Sequence, residues 1–310
     1  MQIKKPKFWD LTNPNFISCI LIPFSIPIIL RNFIFQLLKK KKIPEIKTIC
    51  VGNIYLGGTG KTPLTIKIYE ILNKLKYKVA TVKKYYSNQK DEQLLLNQKT
   101  NLIISKSRIG AIQKGLEQNL DFLVFDDGLQ EMQIEFDVKL VCFKSKNWIG
   151  NGQLIPAGPM REGISSLKRF DAVFLNGYSE NLAKIENQIL NINSKIKIFR
   201  TSYKILNLEK YDLNQKYLIF SGIGIPADFN EILLENNFKI VKEIIFNDHY
   251  EYNYNDFENI IFEAQNEKLK ILTTEKDYVK IPEKFKKEIN FLSIDVIIEK
   301  ENQLVELLNK

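Results

Sequence analysis

Apolar positions along the chain fall into two regimes. From Leu11 to Leu30 there is no charged residue, and Ile17 to Leu30 is almost continuously apolar. Beyond Ile43 the pattern changes to short apolar runs alternating with segments of helical period. Ile49 to Val51 is a short run of the kind that forms a buried strand. Leu64, Ile68, Ile71, Leu72 and Leu75 then follow at helical spacing. Further strands are expected at Lys78–Tyr85, Leu102–Ile104, Asp121–Asp127, Lys139–Phe143, Ala172–Leu175 and Ile196–Tyr203, with a helix over Ser107–Gln118. After polar residues at Tyr203 to Gln215 the alternation restarts. Strands are expected at Tyr217–Phe220, Ile240–Phe246, Ile271–Leu272 and Phe291–Ile298, and helices at Ala227–Glu235, Phe257–Gln265 and Gln303–Asn309. Such alternation predicts an α/β protein with mostly parallel sheets covered by helices on both faces. Three segments are expected: an apolar N-terminal segment over 1–42, an α/β domain over 43–208, and a smaller C-terminal α/β domain over 209–310.

The N-terminal stretch fits three arrangements: a helix or helical pair lying in a membrane interface, a spanning helix, or a core helix. Its length allows a span. Pro23 and Pro27 break or kink a helix, and Asn13, Asn15 and Ser25 dilute its apolar character. Aromatic residues (Phe8, Trp9, Phe33, Phe35) and the lysines at Lys39–Lys42 flank it, which favours an interfacial element on an anionic, cytoplasmic membrane face. No small-residue cleavage site follows, so the stretch is not read as a cleaved signal peptide.

The first predicted strand runs into Gly57, Gly58, Thr59, Gly60, Lys61 and Thr62, and a helix follows. Strand, glycine loop, Lys-Thr and helix together are the context of a phosphate-binding loop. Glycines let successive backbone N–H groups turn around an anion, and the helix N-terminus adds partial positive charge. Lys61 would reach the β- and γ-phosphates of ATP, and the Thr62 hydroxyl would ligate Mg²⁺. Tyr55 stands where the full pattern has its first glycine.

Composition narrows the choice of partners. The 310-residue chain carries a net charge of +9, but its lysines are spread along the whole length without a compact basic and aromatic patch. Nucleic acid is therefore not an expected partner, whereas an anionic membrane surface is. Cys19, Cys50 and Cys142 have neither metal spacing nor a disulfide framework, consistent with a reducing compartment.

Several polar residues stand where chemistry is expected. Asp126 and Asp127 end a strand, where ligands bind open α/β sheets, and a carboxylate there suits the magnesium side of a nucleotide site. Asp91 and Glu92 read either as the acidic first turn of a helix or as site residues. His249, the only histidine, lies just past a strand end and is a candidate base partner for a hydroxyl acceptor. The constrained loop Asn151–Glu162 carries Arg161, a candidate phosphate or sugar contact. A phosphate loop alone fits a membrane-recruited nucleotide switch as well as a transferase. The Asp91–Glu92 pair and His249 are what a switch does not need.

In chain order the motifs are GGTGKTP, DE followed by LLL, FDDGLQ, GNGQLIPAGPMRE, FSGIGIP, FNDHYEY and LTTEKDYVK. As a set they resemble the tetraacyldisaccharide 4'-kinases, the lipid A 4'-kinases of Gram-negative bacteria, over nearly the whole chain. The resemblance implies a P-loop NTPase-like kinase with a smaller C-terminal α/β domain and a membrane-associated N-terminal helix. It implies ATP-dependent phosphorylation of the 4'-hydroxyl of a tetraacyl glucosamine disaccharide 1-phosphate at the cytoplasmic face of the inner membrane. It further implies Asp91 as general base partnered by His249, Lys61 at the transferred phosphoryl, and Thr62, Glu92 and Asp126 toward Mg²⁺. Asp127, Gln130 and Arg161 are placed on the substrate side. The chain departs from the family pattern at Lys83, Lys84, Tyr85 and Tyr86, which stand in place of a basic-aromatic SRGYG loop. It also departs at Glu131 and Tyr250, which stand where histidines are usual.

Overall fold

A computed structural model of the protein describes residues 5–86 and 89–309. In chain order its elements are α1 (Phe16–Leu21), α2 (Ile26–Leu37), β1 (Lys47–Gly52), α3 (Lys61–Lys74), β2 (Val79–Lys84), α4 (Lys90–Lys99), β3 (Leu102–Ser105), α5 (Arg108–Glu117), β4 (Phe122–Asp126), β5 (Val138–Lys144), β6 (Ala172–Asn176), α6 (Leu182–Ile192) and β7 (Lys197–Ile205). They continue with β8 (Lys216–Ser221), α7 (Pro226–Glu235), β9 (Lys239–Ile245), α8 (Tyr254–Asn266), β10 (Lys270–Thr274), α9 (Glu275–Tyr278), β11 (Ile289–Leu292), β12 (Ile294–Ile298) and α10 (Glu301–Asn309).

The chain divides into two compact units. The first comprises 1–84, 100–202 and 296–310; the second comprises 85–99 and 203–295. The contiguous division expected at residue 208 is therefore corrected on two points. The segment carrying Asp91 belongs with the second unit, because α4 packs on α9 and forms ion pairs there. The C-terminal helix belongs with the first unit, where Lys67 faces Glu301 and the Tyr77 hydroxyl donates to Asn309 at 3.3 Å. The single strand expected at Phe291–Ile298 is also two strands. Ser293 separates them, and they enter different sheets.

The first unit is built on an eight-stranded sheet of order β12-β7-β6-β5-β1-β4-β2-β3. From β7 to β3 every neighbouring pair is parallel. β1 and β4 are central, and almost every residue in them is buried, as continuous runs such as Ile49–Val51 and Phe122–Phe125 require of a sheet covered on both faces. The second unit holds a four-stranded parallel sheet of order β11-β10-β8-β9. Leu218 and Phe220 pack on one face with Phe257 and Ile271, while Tyr217 and Ile219 pack on the other with Phe229 and Leu233. α8 begins with a capping box in which Asn253 and Asp256 satisfy each other's backbone N–H groups.

The N-terminal stretch forms α1, a short 3-10 turn and α2, so that Phe16–Leu37 is a 22-residue helical segment long and apolar enough to cross a membrane. Its amphipathicity is inverted. Ser18 and Ser25 are buried, while Phe16, Phe24, Phe33 and Leu37 are exposed. Ser18, Ser25 and Asn32 recur every seventh position and so share one side of the helix. That side is hydrogen-bonded to the 151–162 loop. Asn151 donates to the Ser18 hydroxyl at 2.9 Å, Ser25 donates to the Leu154 carbonyl at 3.0 Å, and Asn32 donates to the Arg161 carbonyl at 2.9 Å. The residues that weaken the apolar run in the sequence are thus its attachment to the protein.

Candidate active site

In the first unit, β1 delivers the chain to the glycine loop and α3 starts at Lys61. Gly57 and Gly60 have φ of +129° and +84°, which glycine adopts without the strain other residues meet. Asn53 holds the loop from inside, its amide donating to the Gly57 carbonyl and the Thr59 hydroxyl at 3.2 Å each. Gln130 in turn donates to the Asn53 carbonyl at 3.1 Å and to Glu162 at 3.0 Å. Glu162 also pairs with Arg169. Gln130, expected on the substrate side, is therefore also a brace under the loop. Tyr55 is buried and donates its hydroxyl to Asp10 at 2.8 Å, which ties the start of the loop to the N-terminal segment. The 151–162 loop runs beside it, with Arg161 N donating to the Ile54 carbonyl at 2.7 Å and Leu56 N to the Pro159 carbonyl at 2.8 Å.

Asp126 ends β4 beside this loop. The Thr62 hydroxyl donates to its Oδ2 at 3.1 Å, Thr65 lies 3.5 Å from its Oδ1, and the buried Lys83 ammonium is 2.8 Å from Oδ2. A Thr62 hydroxyl that gives its proton to Asp126 keeps lone pairs for a cation. Among the described residues no group of three or more His, Cys, Asp and Glu side chains is arranged to hold a metal. Mg²⁺ needs no such group, because one or two protein donors usually suffice when nucleotide phosphates and waters complete the shell. Thr62 and Asp126 fit that donor set.

Asp127 has a left-handed backbone, with φ of +64°, an uncommon conformation for a residue other than glycine. One of its carboxylate oxygens is buried without a hydrogen-bond partner, and the other lies 3.5 Å from Arg161. Burial pushes its pKa up, but Lys61, Arg161, Lys83 and Arg108 together outweigh burial and hold it below the usual carboxylate range. Arg108 also pairs with Glu131 at 2.8 Å, so Glu131 fixes the turn after the two aspartates.

In the second unit, α4 places Asp91 and Glu92 in its first turn. His249 follows β9, and its backbone is also left-handed, with φ of +58°. Its Nδ1 lies 2.8 Å from Asp91 Oδ1 and 3.0 Å from Oδ2. Lys276 and Lys280 approach the same carboxylate at 3.5 and 3.7 Å. Burial raises the Asp91 pKa, but the His249 hydrogen bond leads the opposing effects, followed by the two lysines, and the net position is below the usual carboxylate range. Lys276 also reaches Glu92 at 3.6 Å and Asp248 at 3.2 Å. Its pKa is raised because these carboxylates outweigh the penalty of burial. Lys280 is shared with Asp277 at 2.8 Å, and Asp277 accepts from Gly222 N and the Tyr252 hydroxyl.

The first unit thus gathers Gly57–Thr62, Asp126, Asp127, Gln130 and Arg161, and the second gathers Asp91, Glu92 and His249. Sequence reasoning did not assign Asn53, Thr65, Lys83, Glu162, Lys276 or Lys280. Lys276 and Lys280 lie within the quoted motif LTTEKDYVK, the one signal that singled them out.

The family model for tetraacyldisaccharide-1-P 4'-kinase matches residues 17–310. Relatives named tetraacyldisaccharide 4'-kinase include one from Pelagibacter ubique, 45% identical over the full length of both chains. Another, from Rickettsia bellii, is 31% identical over 91% of this chain and 90% of its own. Among solved structures, LpxK from Aquifex aeolicus in complex with ATP superposes with a TM-score of 0.71 at 24% identity, covering 95% of this chain and 99% of that one, which shows the same fold. With the family's motifs in order from the phosphate loop to His249, and with a match over nearly all its length, this chain belongs to the tetraacyldisaccharide-1-P 4'-kinase family.

Proposed function

We propose that the protein transfers the γ-phosphate of ATP to the 4'-hydroxyl of a tetraacyl glucosamine disaccharide 1-phosphate, giving lipid IVA, at the cytoplasmic face of the inner membrane. The observation that carries this reading is the Asp91–His249 pair at 2.8 Å, with two lysines approaching the same carboxylate. A phosphate loop by itself would serve a switch, whereas a buried carboxylate hydrogen-bonded to histidine is what proton removal from a hydroxyl calls for.

ATP would lie on Gly57–Thr62, its phosphates met by loop amides and the Lys61 ammonium, which neutralises charge on the transferred group. Thr62 and Asp126 would hold Mg²⁺, with Glu92 assigned to it by family resemblance, and the ion would supply charge neutralisation at the phosphates. Arg161 and Asp127 would contact the acceptor sugar or its phosphate, and Gln130 would hold the loop that presents them. Asp91 would accept the hydroxyl proton, with His249 orienting it. A second reading reverses the pair. The Asp91 side chain is 2% exposed and that of His249 is 17% exposed, which favours the imidazole as the group that meets the acceptor. The inverted helix Phe16–Leu37 supports membrane docking, because its outward apolar face has lipid as its natural surroundings.

The test is incubation with labelled ATP and the disaccharide 1-phosphate in mixed micelles, with thin-layer detection of a second phosphate on the lipid. Nucleotide hydrolysis without lipid labelling would overturn the proposal in favour of a switch. His249→Asn and Asp91→Asn separate the two readings, since the residue that accepts the proton carries the larger loss in kcat.

A further inference from the structure

Lys83, next to last in β2, stands in register beside Asp126 at the end of β4. Its side chain is 2% exposed, that of Asp126 is fully buried, and Nζ lies 2.8 Å from Oδ2. A lysine ammonium is rarely tolerated at such depth unless a countercharge compensates the loss of water. The same Oδ2 accepts the Thr62 hydroxyl at 3.1 Å, and Oδ1 faces Thr65 at 3.5 Å. Both oxygens of this carboxylate are therefore engaged before any divalent ion arrives. Asp127 adds a second carboxylate directly after the same strand end.

We infer that Lys83 is a resident cation of the Mg²⁺ site. Its ammonium compensates Asp126 in the metal-free enzyme, keeps that carboxylate aimed at Thr62, and competes with the metal for it. Lys83 is thus a positioning residue that acts through Asp126 and sets how tightly the nucleotide-bound enzyme takes a divalent ion. Two consequences follow from like charges sharing one carboxylate. Removing the ammonium tightens metal binding. It also leaves Asp126 and Asp127 without that compensation when metal is absent, so the metal-free protein becomes the less stable form.

The inference rests on the assignment of Thr62 and Asp126 to the metal, and one experiment distinguishes its failure from failure of that assignment. Mn²⁺ binding is measured by water-proton relaxation in the presence of a non-hydrolysable ATP analogue, for the wild-type chain and for Lys83→Met. Lys83→Gln, which keeps an amide donor and removes the charge, is measured alongside in case methionine leaves too little folded protein. The expected result is Mn²⁺ affinity raised on the order of tenfold in either variant. A melting temperature that falls in EDTA and is restored by metal and nucleotide more than in the wild type is expected with it. Unchanged metal affinity in a folded variant overturns the inference. A wild-type chain that binds the analogue without taking up Mn²⁺ overturns both the inference and the metal assignment.

Discussion

Replacing Asp91 with asparagine is the most discriminating perturbation of the proposed chemistry, because the structure separates its effect on catalysis from its effect on folding. The carboxylate faces His249 Nδ1 at 2.8 Å and the ammonium groups of Lys276 and Lys280 at 3.5 and 3.7 Å. Stripping one member from a buried ion pair commonly costs ~3–5 kcal/mol, because it leaves an uncompensated charge. Here neither lysine is stripped. Lys276 keeps Asp248 at 3.2 Å and Glu92 at 3.6 Å, and Lys280 keeps Asp277 at 2.8 Å. Asparagine also keeps an oxygen for His249. The stability loss should therefore resemble that of weakened charge-assisted hydrogen bonds, about 1–3 kcal/mol, and leave a folded enzyme. Loss of a general base, by contrast, costs about 10²–10⁴-fold in turnover. The assay is labelled-phosphate transfer to the disaccharide in mixed micelles, run with a urea melt on the same preparation. We expect kcat to fall at least about a hundredfold with the KM for ATP little changed. A folded Asp91→Asn enzyme within about threefold of wild-type kcat would refute the assignment of Asp91 to the chemical step.

Other outcomes follow from the same geometry. Lys61→Ala should lower kcat by on the order of a hundredfold or more, read in the same transfer assay, because its charge is the one proposed to neutralise the transferred group. Gly60→Ala, forced into a left-handed backbone at φ +84°, should cost about 1–2 kcal/mol and weaken ATP-analogue binding measured by calorimetry. Exchanging the exposed Phe24 and Phe33 for serine should lower flotation with anionic vesicles at least about tenfold while leaving the urea midpoint near that of the wild type. For Glu131, burial raises the pKa but hydrogen bonds led by that from Arg108 hold it below the ordinary glutamate range. A carboxylate with a depressed folded pKa stabilises above its unfolded pKa, and that contribution disappears as pH falls through the folded value. Glu131→Gln should thus be less stable than the wild type at pH 7, and the gap in melting temperature should close as the pH is taken well below 4.5.

Features that depend on neighbours in the chain were legible from the residues. The glycine loop, the Lys-Thr pair and the following helix are contiguous, and the strand ending in Asp126 and Asp127 declares itself by a continuous apolar run. Features that depend on residues far apart were not. Asp91 and His249 are 158 positions apart, and the residues alone left Asp91 open between a helix first turn and a site while naming His249 a candidate without its carboxylate; only the resemblance of their motifs paired them. Lys83 fell within an expected strand, but nothing local reveals that this strand lies beside that of Asp126. Ser25 counted against an apolar helix in the sequence, yet packing turned that residue inward as an anchor. The Phe291–Ile298 run gave no sign of its break, since apolar residues continue on both sides of Ser293 and the break arises from two sheets competing for one segment.

The peptide passes between the two compact units four times, at 84/85, 99/100, 202/203 and 295/296. Dissection by simple truncation is therefore ruled out. A fragment stopping at residue 208 would forfeit β12 and α10, while a fragment beginning there would lack the helix that carries Asp91. Anyone wishing to express the smaller unit alone would have to graft 85–99 onto 203–295 through an artificial join.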